Sequence, residues 1–145
     1  MSSIFDIAAS AMNAQMVRLN TVASNLANVE TVSSTEEGAY RARNPVFKAA
    51  LVSAQQQAQA LGQPGQPALP GVRVQHIAES EVPVPMRYEP GNPLANADGY
   101  VFASNVNPVE EMANMIAASR NYQSNMEVFN TTKSLMLRTL QLGQQ

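Results

Sequence analysis

The chain of 145 residues carries a net charge of -2 and has no cysteine. The length predicts one domain, the slightly acidic balance offers no surface for nucleic acid, and the lack of thiols excludes disulfides and thiolate metal sites. No stretch reaches the roughly 18 apolar residues of a membrane span. The N-terminus lacks the basic and apolar regions of a secretory signal, so we expect neither a membrane span nor conventional export.

The first thirty residues have the periodicity of an amphipathic helix, which we predict from Ser3 to Asn28. Ser3 and Asp6 form the Ser-x-x-Asp version of a capping box, and Asn28 tolerates the left-handed conformation found at helix ends. The residues of one side recur at intervals of three and four. They are Phe5, Ala8, Met12, Gln15, Leu19, Val22, Leu26 and Val29. We assign residues 1–30 to the N-terminal helix of a coiled-coil domain.

Residues 31–106 predict a small β-rich or extended module, which begins with a polar loop that ends at Gly38. Apolar residues alternate with polar ones in several short runs, as in strands with one buried face. These runs lie at 40–47, 72–77, 82–88 and 100–104. Prolines limit the third run to an edge strand or to polyproline geometry, and the pair Asp98-Gly99 predicts a turn before the fourth.

The middle of this module has a different composition. Residues 48–61 are rich in Ala and Gln and leave helix and extended loop as alternatives. Residues 62–71 combine Pro, Gly and Gln, a composition typical of a flexible, partly polyproline segment. We therefore expect a flexible Pro/Gln-rich loop near 55–71.

The last third of the chain predicts one long helix from Asn107 to Leu142. Asn107 is a favourable N-cap, Pro108 suits the first helical position, and Glu110 stands at the third position of a capping box. Gly143 follows as a candidate left-handed residue at the C-terminal end. Neither Gly nor Pro interrupts the helix after Pro108, so it would be a rod of about 50 Å.

The apolar positions of this last helix also alternate by three and four and form a seam of heptad type. The seam consists of Met112, Met115, Ser119, Tyr122, Met126, Phe129, Lys133, Met136 and Leu140, widened by Val109, Ile116, Val128, Leu135 and Leu137. Polar seam residues such as Gln15, Ser119 and Lys133 set register and partner in coiled coils, although Lys133 could instead extend its ammonium group to solvent.

Matching seams at the two ends of the chain predict a mainly α fold with a small β module. The helices of residues 1–30 and 107–145 would pair as an antiparallel coiled coil, with the β-rich insertion between them. Charged residues make up only 14% of the chain, against about 25% in an average domain. Much of the long seam stays uncovered by one partner helix, so we expect it to pack against other chains.

The residues that could support catalysis or metal binding do not form a catalytic pattern. The candidates are His76, the group Asn92, Asn96 and Asp98, and the pair Glu110 and Glu111. The histidine has no acidic or nucleophilic neighbour along its strand. The second group lacks the spacing and the terminal Glu of a calcium loop and favours a turn, while two carboxylates at a helix start compensate the helix dipole. We expect no enzymatic activity, no cofactor and no metal.

Several short motifs resemble those of flagellar rod and hook proteins. The N-terminal ones are Ser-Ala-Met at 10–12 and Ser-Asn-Leu-Ala-Asn-Val-Glu-Thr at 24–31. Further motifs are similar to those of the FlgC family of proximal rod proteins in particular. They are Tyr-Arg at 40–41, Pro-Val-Phe at 45–47, Tyr-Glu-Pro-Gly-Asn-Pro at 88–93, Asp-Gly-Tyr-Val at 98–101, Asn-Val-Asn-Pro-Val-Glu-Glu-Met at 105–112 and Met-Ile-Ala-Ala-Ser-Arg-Asn-Tyr-Gln-Ser-Asn at 115–125. Departures are Asn121, where many members carry a small residue, and residues 55–71, which match no motif.

This resemblance implies a structural subunit of the bacterial flagellar proximal rod, which polymerises through its terminal helices into the hollow drive shaft of the basal body. Its location would be the periplasmic rod, reached in an unfolded state through the flagellar type III export apparatus and without a cleaved signal. Its partners would be other rod subunits and the ring or export apparatus of the basal body, in a hetero-oligomeric helical assembly. The resemblance implies no nucleic acid and no direct membrane span.

The seams and the motifs together predict an assembly interface on both helices. It comprises Phe5, Met12, Leu19, Asn25, Leu26, Asn28, Met112, Met115, Ile116, Tyr122, Asn125, Met126, Phe129, Met136 and Leu140. Two other interpretations stay open. One is a soluble coiled-coil adaptor, which would form a stable small oligomer, and the other is a different axial subunit of the rod and hook family, with open contacts that propagate.

Overall fold

The computed structural model describes residues 2–49 and 71–142, so the predictions for residues 50–70 and for Gly143 lie outside the described residues. The described elements begin and end with long helices. In chain order they are α1 (Ser2–Ala27), β1 (Val32–Ser33), β2 (Arg43–Ala49), β3 (Val72–Glu79), β4 (Met86–Tyr88), β5 (Tyr100–Ala103) and α2 (Pro108–Leu142). The fold is therefore mainly helical with a small β part, as predicted.

The two helices begin and end within one residue of the positions predicted from the sequence. For α2 the N-cap is confirmed, because the Asn107 side-chain oxygen accepts a hydrogen bond from the Val109 N–H at 3.1 Å. Pro108 is the first helical residue and has no N–H to leave unpaired. At the end of α1 the Ser24 carbonyl accepts from both the backbone N–H and the side-chain nitrogen of Asn28, at 3.2 and 2.8 Å.

The strands form two small sheets. One sheet is antiparallel with the order β1-β5-β4, and its register pairs Val32 with Ala103 and Tyr88 with Tyr100. The other sheet contains β2 and β3. Predictions for β3 and β5 are confirmed, although β3 extends two residues further than expected and β5 stops one residue earlier.

Three strand predictions needed correction. The run at 40–47 is a strand only from Arg43 and continues to Ala49. The run at 82–88 is a strand only from Met86, because the two prolines before it cannot donate ladder hydrogen bonds. The predicted polar loop contains β1, a strand of only two residues, which is too short to show an alternating pattern.

The described residues divide into two compact units. One contains residues 2–17, 46–49, 71–76 and 118–142, and its most buried side chains are alanines, namely Ala8, Ala14 and Ala118. The other contains Arg18–Pro45 and Ile77–Ala117. The apolar core of the second unit consists of Val22, Ala39, Val84, Val101, Ala103 and Val106. Both cores are built from small side chains, which bury little apolar area each.

Candidate assembly surface

The predicted interface residues of α1 lie on its less exposed side. Asn25 is completely buried, and the remaining five are half-buried; these are Phe5, Met12, Leu19, Leu26 and Asn28. The three-and-four periodicity therefore coincides with the side of α1 that is less exposed within the chain. The role of these residues in assembly stays a prediction, since burial within one chain does not test it.

The predicted interface residues of α2 separate into two groups. Half-buried residues are Met115, Tyr122, Asn125 and Phe129. Exposed residues are Met112, Ile116, Met126, Met136 and Leu140. The two most buried residues of the helix are Glu111 and Ala118, at 5% and 0% exposure. The most buried residues of α2 are thus one small and one charged residue, while five of the predicted apolar interface residues face solvent.

We call the solvent-facing apolar residues of α2 the exposed apolar set. It consists of Val109, Met112, Ile116, Met126, Val128, Leu135, Met136, Leu137 and Leu140. Leu135, Met136 and Leu137 are consecutive, so at about 100° per residue they span about 200°, a little more than half of the helix circumference. This arc is wider than the apolar stripe of about 100° that a surface helix normally buries. The C-terminal turns of α2 therefore have a composition that their exposure within one chain does not explain.

In each compact unit, a residue of α1 contacts a residue of α2. In the first, the rings of Phe5 and Phe129 meet edge to face with centroids 5.0 Å apart and planes at 76°. In the second, the Arg18 guanidinium donates to the Asn114 side-chain oxygen at 2.9 Å. Phe5 lies near the start of α1 and Phe129 in the C-terminal half of α2, whereas Arg18 lies in the C-terminal half of α1 and Asn114 near the start of α2.

Asn25 forms a buried hydrogen-bond network close to the end of α1. Its side-chain nitrogen donates to the Arg43 carbonyl at 2.8 Å. Its side-chain oxygen accepts from the Arg43 N–H at 2.9 Å and from the Tyr40 hydroxyl at 3.0 Å. The Tyr40 hydroxyl also lies 3.2 Å from the Ser24 hydroxyl. One amide side chain thus pairs with both backbone groups of Arg43, as a neighbouring strand would do.

Asn105 binds Ala42, the residue before Arg43, in a similar way. Its side-chain oxygen accepts from the Ala42 N–H, and its side-chain nitrogen donates to the Val82 carbonyl, both at 2.7 Å. The Ala42 carbonyl accepts from the Ser80 N–H at 2.7 Å. No local pattern around Asn105 indicates this role, and the residue stands out in the sequence only as part of the motif at 105–112.

The loop before β5 is organised by hydrogen bonds to Asn96. The Asn96 side-chain oxygen accepts from the N–H groups of Asp98 and Tyr100 at 3.0 and 2.9 Å, which confirms the predicted turn. Gly99 has φ of 81°, and a Cβ there would lie 2.9 Å from the Tyr88 ring. The glycine therefore permits both the turn and the close position of that ring.

The described residues give no indication of a metal centre or a membrane segment. Within 2–49 and 71–142, no three His, Asp or Glu side chains lie together as potential metal ligands. Among the helices that the structure describes, none combines the length and hydropathy required to cross a bilayer. His76 is exposed on β3.

The chain is similar to known components of bacterial flagella. Its residues 5–32 match the family described as flagella basal body rod protein, and residues 97–142 match flagellar basal body rod FlgEFG protein C-terminal. The flagellar basal-body rod protein FlgC of Salmonella typhimurium is 51% identical over 142 residues, which cover 98% of this chain and 97% of the relative. The protein of the same name from Escherichia coli O157:H7 is 50% identical with the same coverage. The one from Bacillus subtilis is 33% identical over 149 residues, or 95% of each chain.

Proposed function

The chain belongs to the flagellar basal-body rod protein FlgC family, and from this membership we propose that it enters the rod through its two terminal helices. It is a structural subunit of the rod, located in the basal body of the flagellum, and it contributes to motility. Structural proteins make up this family, and we expect no enzymatic activity of this member.

The observation that carries the proposal is the exposed apolar set of α2. Scattered exposed apolar residues are ordinary, but nine of them on one helix form a surface that a free-standing protein would have to keep in water. Apolar side chains over about 200° of the circumference of the last turns form a wider face than a single packed side of a helix, which indicates neighbours on more than one side. In a rod, adjacent subunits are the chains available to cover them.

An antiparallel arrangement of α1 and α2 is part of the proposal. It is supported by the Phe5–Phe129 contact in one compact unit and the Arg18–Asn114 contact in the other. The helices would then present a joint surface to neighbours. The half-buried interface residues would hold the pair together, while the exposed ones, Met112, Ile116, Met126, Met136 and Leu140, would contact other subunits.

We infer the subunit's position in the wider assembly from family membership and from the type of contact that builds helical assemblies. We expect the subunit to lie in the proximal rod, next to other rod subunits and to the ring or export apparatus, and to help enclose an axial channel. Helical assemblies use heterologous contacts, in which different surfaces of each copy meet. We also expect export through the flagellar type III apparatus, which requires an unfolded chain.

A reconstruction of intact basal bodies at side-chain resolution tests this function. We expect density for α1 and α2 packed side by side in the rod wall, with Ile116 and Met126 within about 4 Å of neighbouring chains, the ordinary contact distance. Solvent around these two residues in the assembled rod would contradict the proposal. A stable dimer or trimer of the purified subunit would favour the adaptor interpretation, since a rod subunit should associate little on its own.

A further inference from the structure

We propose that Asn25 and Asn105 anchor the inner ends of the two terminal helices, that is, the C-terminal end of α1 and the N-terminal end of α2, to one short backbone segment. These inner ends stay ordered in the free subunit and nucleate the helices on assembly. The anchor segment is Ala42 and Arg43. Nucleation on assembly rests on the proposed function. The order of the inner ends is a property of the isolated chain and does not depend on it.

The first argument is that side chains satisfy most of the polar backbone of the anchor segment. Ala42 donates to Asn105 and accepts from the Ser80 N–H. Arg43 donates to and accepts from Asn25. All four backbone polar groups therefore have partners at 2.7 to 2.9 Å. Three of these four bonds need an asparagine side chain, so removal of either one leaves backbone groups without a partner.

The second argument concerns Asn25, which is 0% exposed. Water cannot replace its three hydrogen bonds without a rearrangement, and buried polar groups that lose their partners are costly. Loss of any one of these bonds therefore leaves a buried polar group with fewer partners. When they form, they fix the last turns of α1 and also fix Arg43, the first residue of β2.

The third argument is that the start of α2 depends on the same segment. Asn105 stands two residues before the N-cap Asn107, and Ser104 next to it is buried and donates its N–H to the Thr31 carbonyl at 3.2 Å. Val106 is buried as well. The α2 start and the α1 end are thus held by contacts to a common, strand-forming part of the chain within one compact unit.

The fourth argument is that the outer parts of the helices have weaker support. In the unit that contains residues 2–17 and 118–142, the most buried side chains are alanines, which bury little apolar area each. The rings of Phe5 and Phe129 contact each other in the same unit. Forming the first turn is the unfavourable step of helix formation, while extension adds one bond per residue. Anchored inner ends remove that step, so α1 would extend towards its N-terminus and α2 towards its C-terminus when neighbouring subunits arrive.

Amide hydrogen exchange of the free subunit, verified as a monomer by light scattering, tests the proposal. We expect amides at 22–28 and 112–118 to exchange at least tenfold more slowly than those at 5–14 and 125–140. Equally fast exchange in the inner and outer parts would overturn the proposal, and so would equally slow exchange across both helices.

Substitutions separate the anchors from general helix stability. Asn25→Leu and Asn105→Leu should each accelerate exchange of both inner ends about tenfold or more. The matched control is Asn20→Leu, at an exposed position of the same helix, which should change exchange less than twofold. Equal effects of Asn25→Leu and Asn20→Leu would overturn the anchor role.

A milder variant covers the case in which Asn25→Leu unfolds the subunit. Tyr40→Phe removes only the hydroxyl that donates to Asn25, and it should accelerate exchange at 22–28 while the buried strand β5 remains protected. An unchanged rate at 22–28 would count against the proposal. Rod completion by the unsubstituted protein is scored separately, so loss of the anchors and failure of the rod function give different results.

Discussion

The exposed apolar set should contribute to rod assembly and hardly at all to the stability of the single subunit. Consider the triple substitution of Ile116, Met126 and Leu137 by Ser; these side chains are 55%, 41% and 52% exposed. Complete burial of such a side chain stabilises by about 1.5–3 kcal/mol. About half of each remains to be buried, so each contributes about 1 kcal/mol on assembly. The triple variant should therefore join the rod with a free energy about 3 kcal/mol less favourable, or roughly a hundredfold weaker.

The assay combines motility and rod completion in a strain that lacks the native subunit with thermal unfolding of the purified protein. Export of the variant is confirmed first, so that a missing rod reflects assembly. The matched control replaces three exposed polar residues of the same helix, Asn121, Gln123 and Asn130, by Ser. We expect no motility from the apolar triple variant and normal motility from the control. Complete rods built from the apolar variant would refute the reasoning, as would a large fall in its unfolding temperature.

Three further predictions follow from single features. Shortening the loop of residues 55–71 by four residues should leave rods intact, because its composition indicates tolerance; an exported but non-motile variant would give the loop a contact role. Gly99→Ala should destabilise the subunit by about 1–3 kcal/mol in urea unfolding. The reason is that φ is 81° and the new Cβ would lie 2.9 Å from the Tyr88 ring. An unchanged urea midpoint would show that the turn relaxes. Asn107→Ala should lower the free energy of unfolding by about 1 kcal/mol, because the N-cap is lost. Asn107→Ser should retain most of that stability in thermal unfolding, and equal losses in both variants would mean that the cap bond at 3.1 Å contributes little.

Periodicity and capping residues were sufficient to predict the helices. The pattern of α1 and the Asn107-Pro108 start of α2 depend on neighbours within a few residues, and such local signals are visible in the chain itself. The start of β2 was not predictable in this way. Asn25 binds the backbone of Arg43, the first residue of β2, from 18 residues away. Asn105 binds the backbone of Ala42, the residue before it, from 63 residues away.

The interface residues of α2 show a second limit of sequence analysis. Periodicity identifies apolar residues, but it does not tell which of them have a partner within the same chain. The structure buries Glu111 and Ala118 and leaves Ile116 and Leu140 exposed. Hydrophobicity alone would rank these residues in the opposite order. The discrepancy is physically reasonable for a subunit whose final surroundings include other chains.

The antiparallel three-stranded sheet has outer strands of only two and three residues, β1 and β4. Pro85 and Pro90 stand close to the two ends of β4 and have no N–H to offer to an added strand. An edge of this kind is a poor template for further strands, and short edges are a common protection against aggregation. In a crowded assembly, these short edges disfavour extension of the sheet from one chain into the next. Growth by strand addition, the route to fibrils, is thereby disfavoured at this sheet.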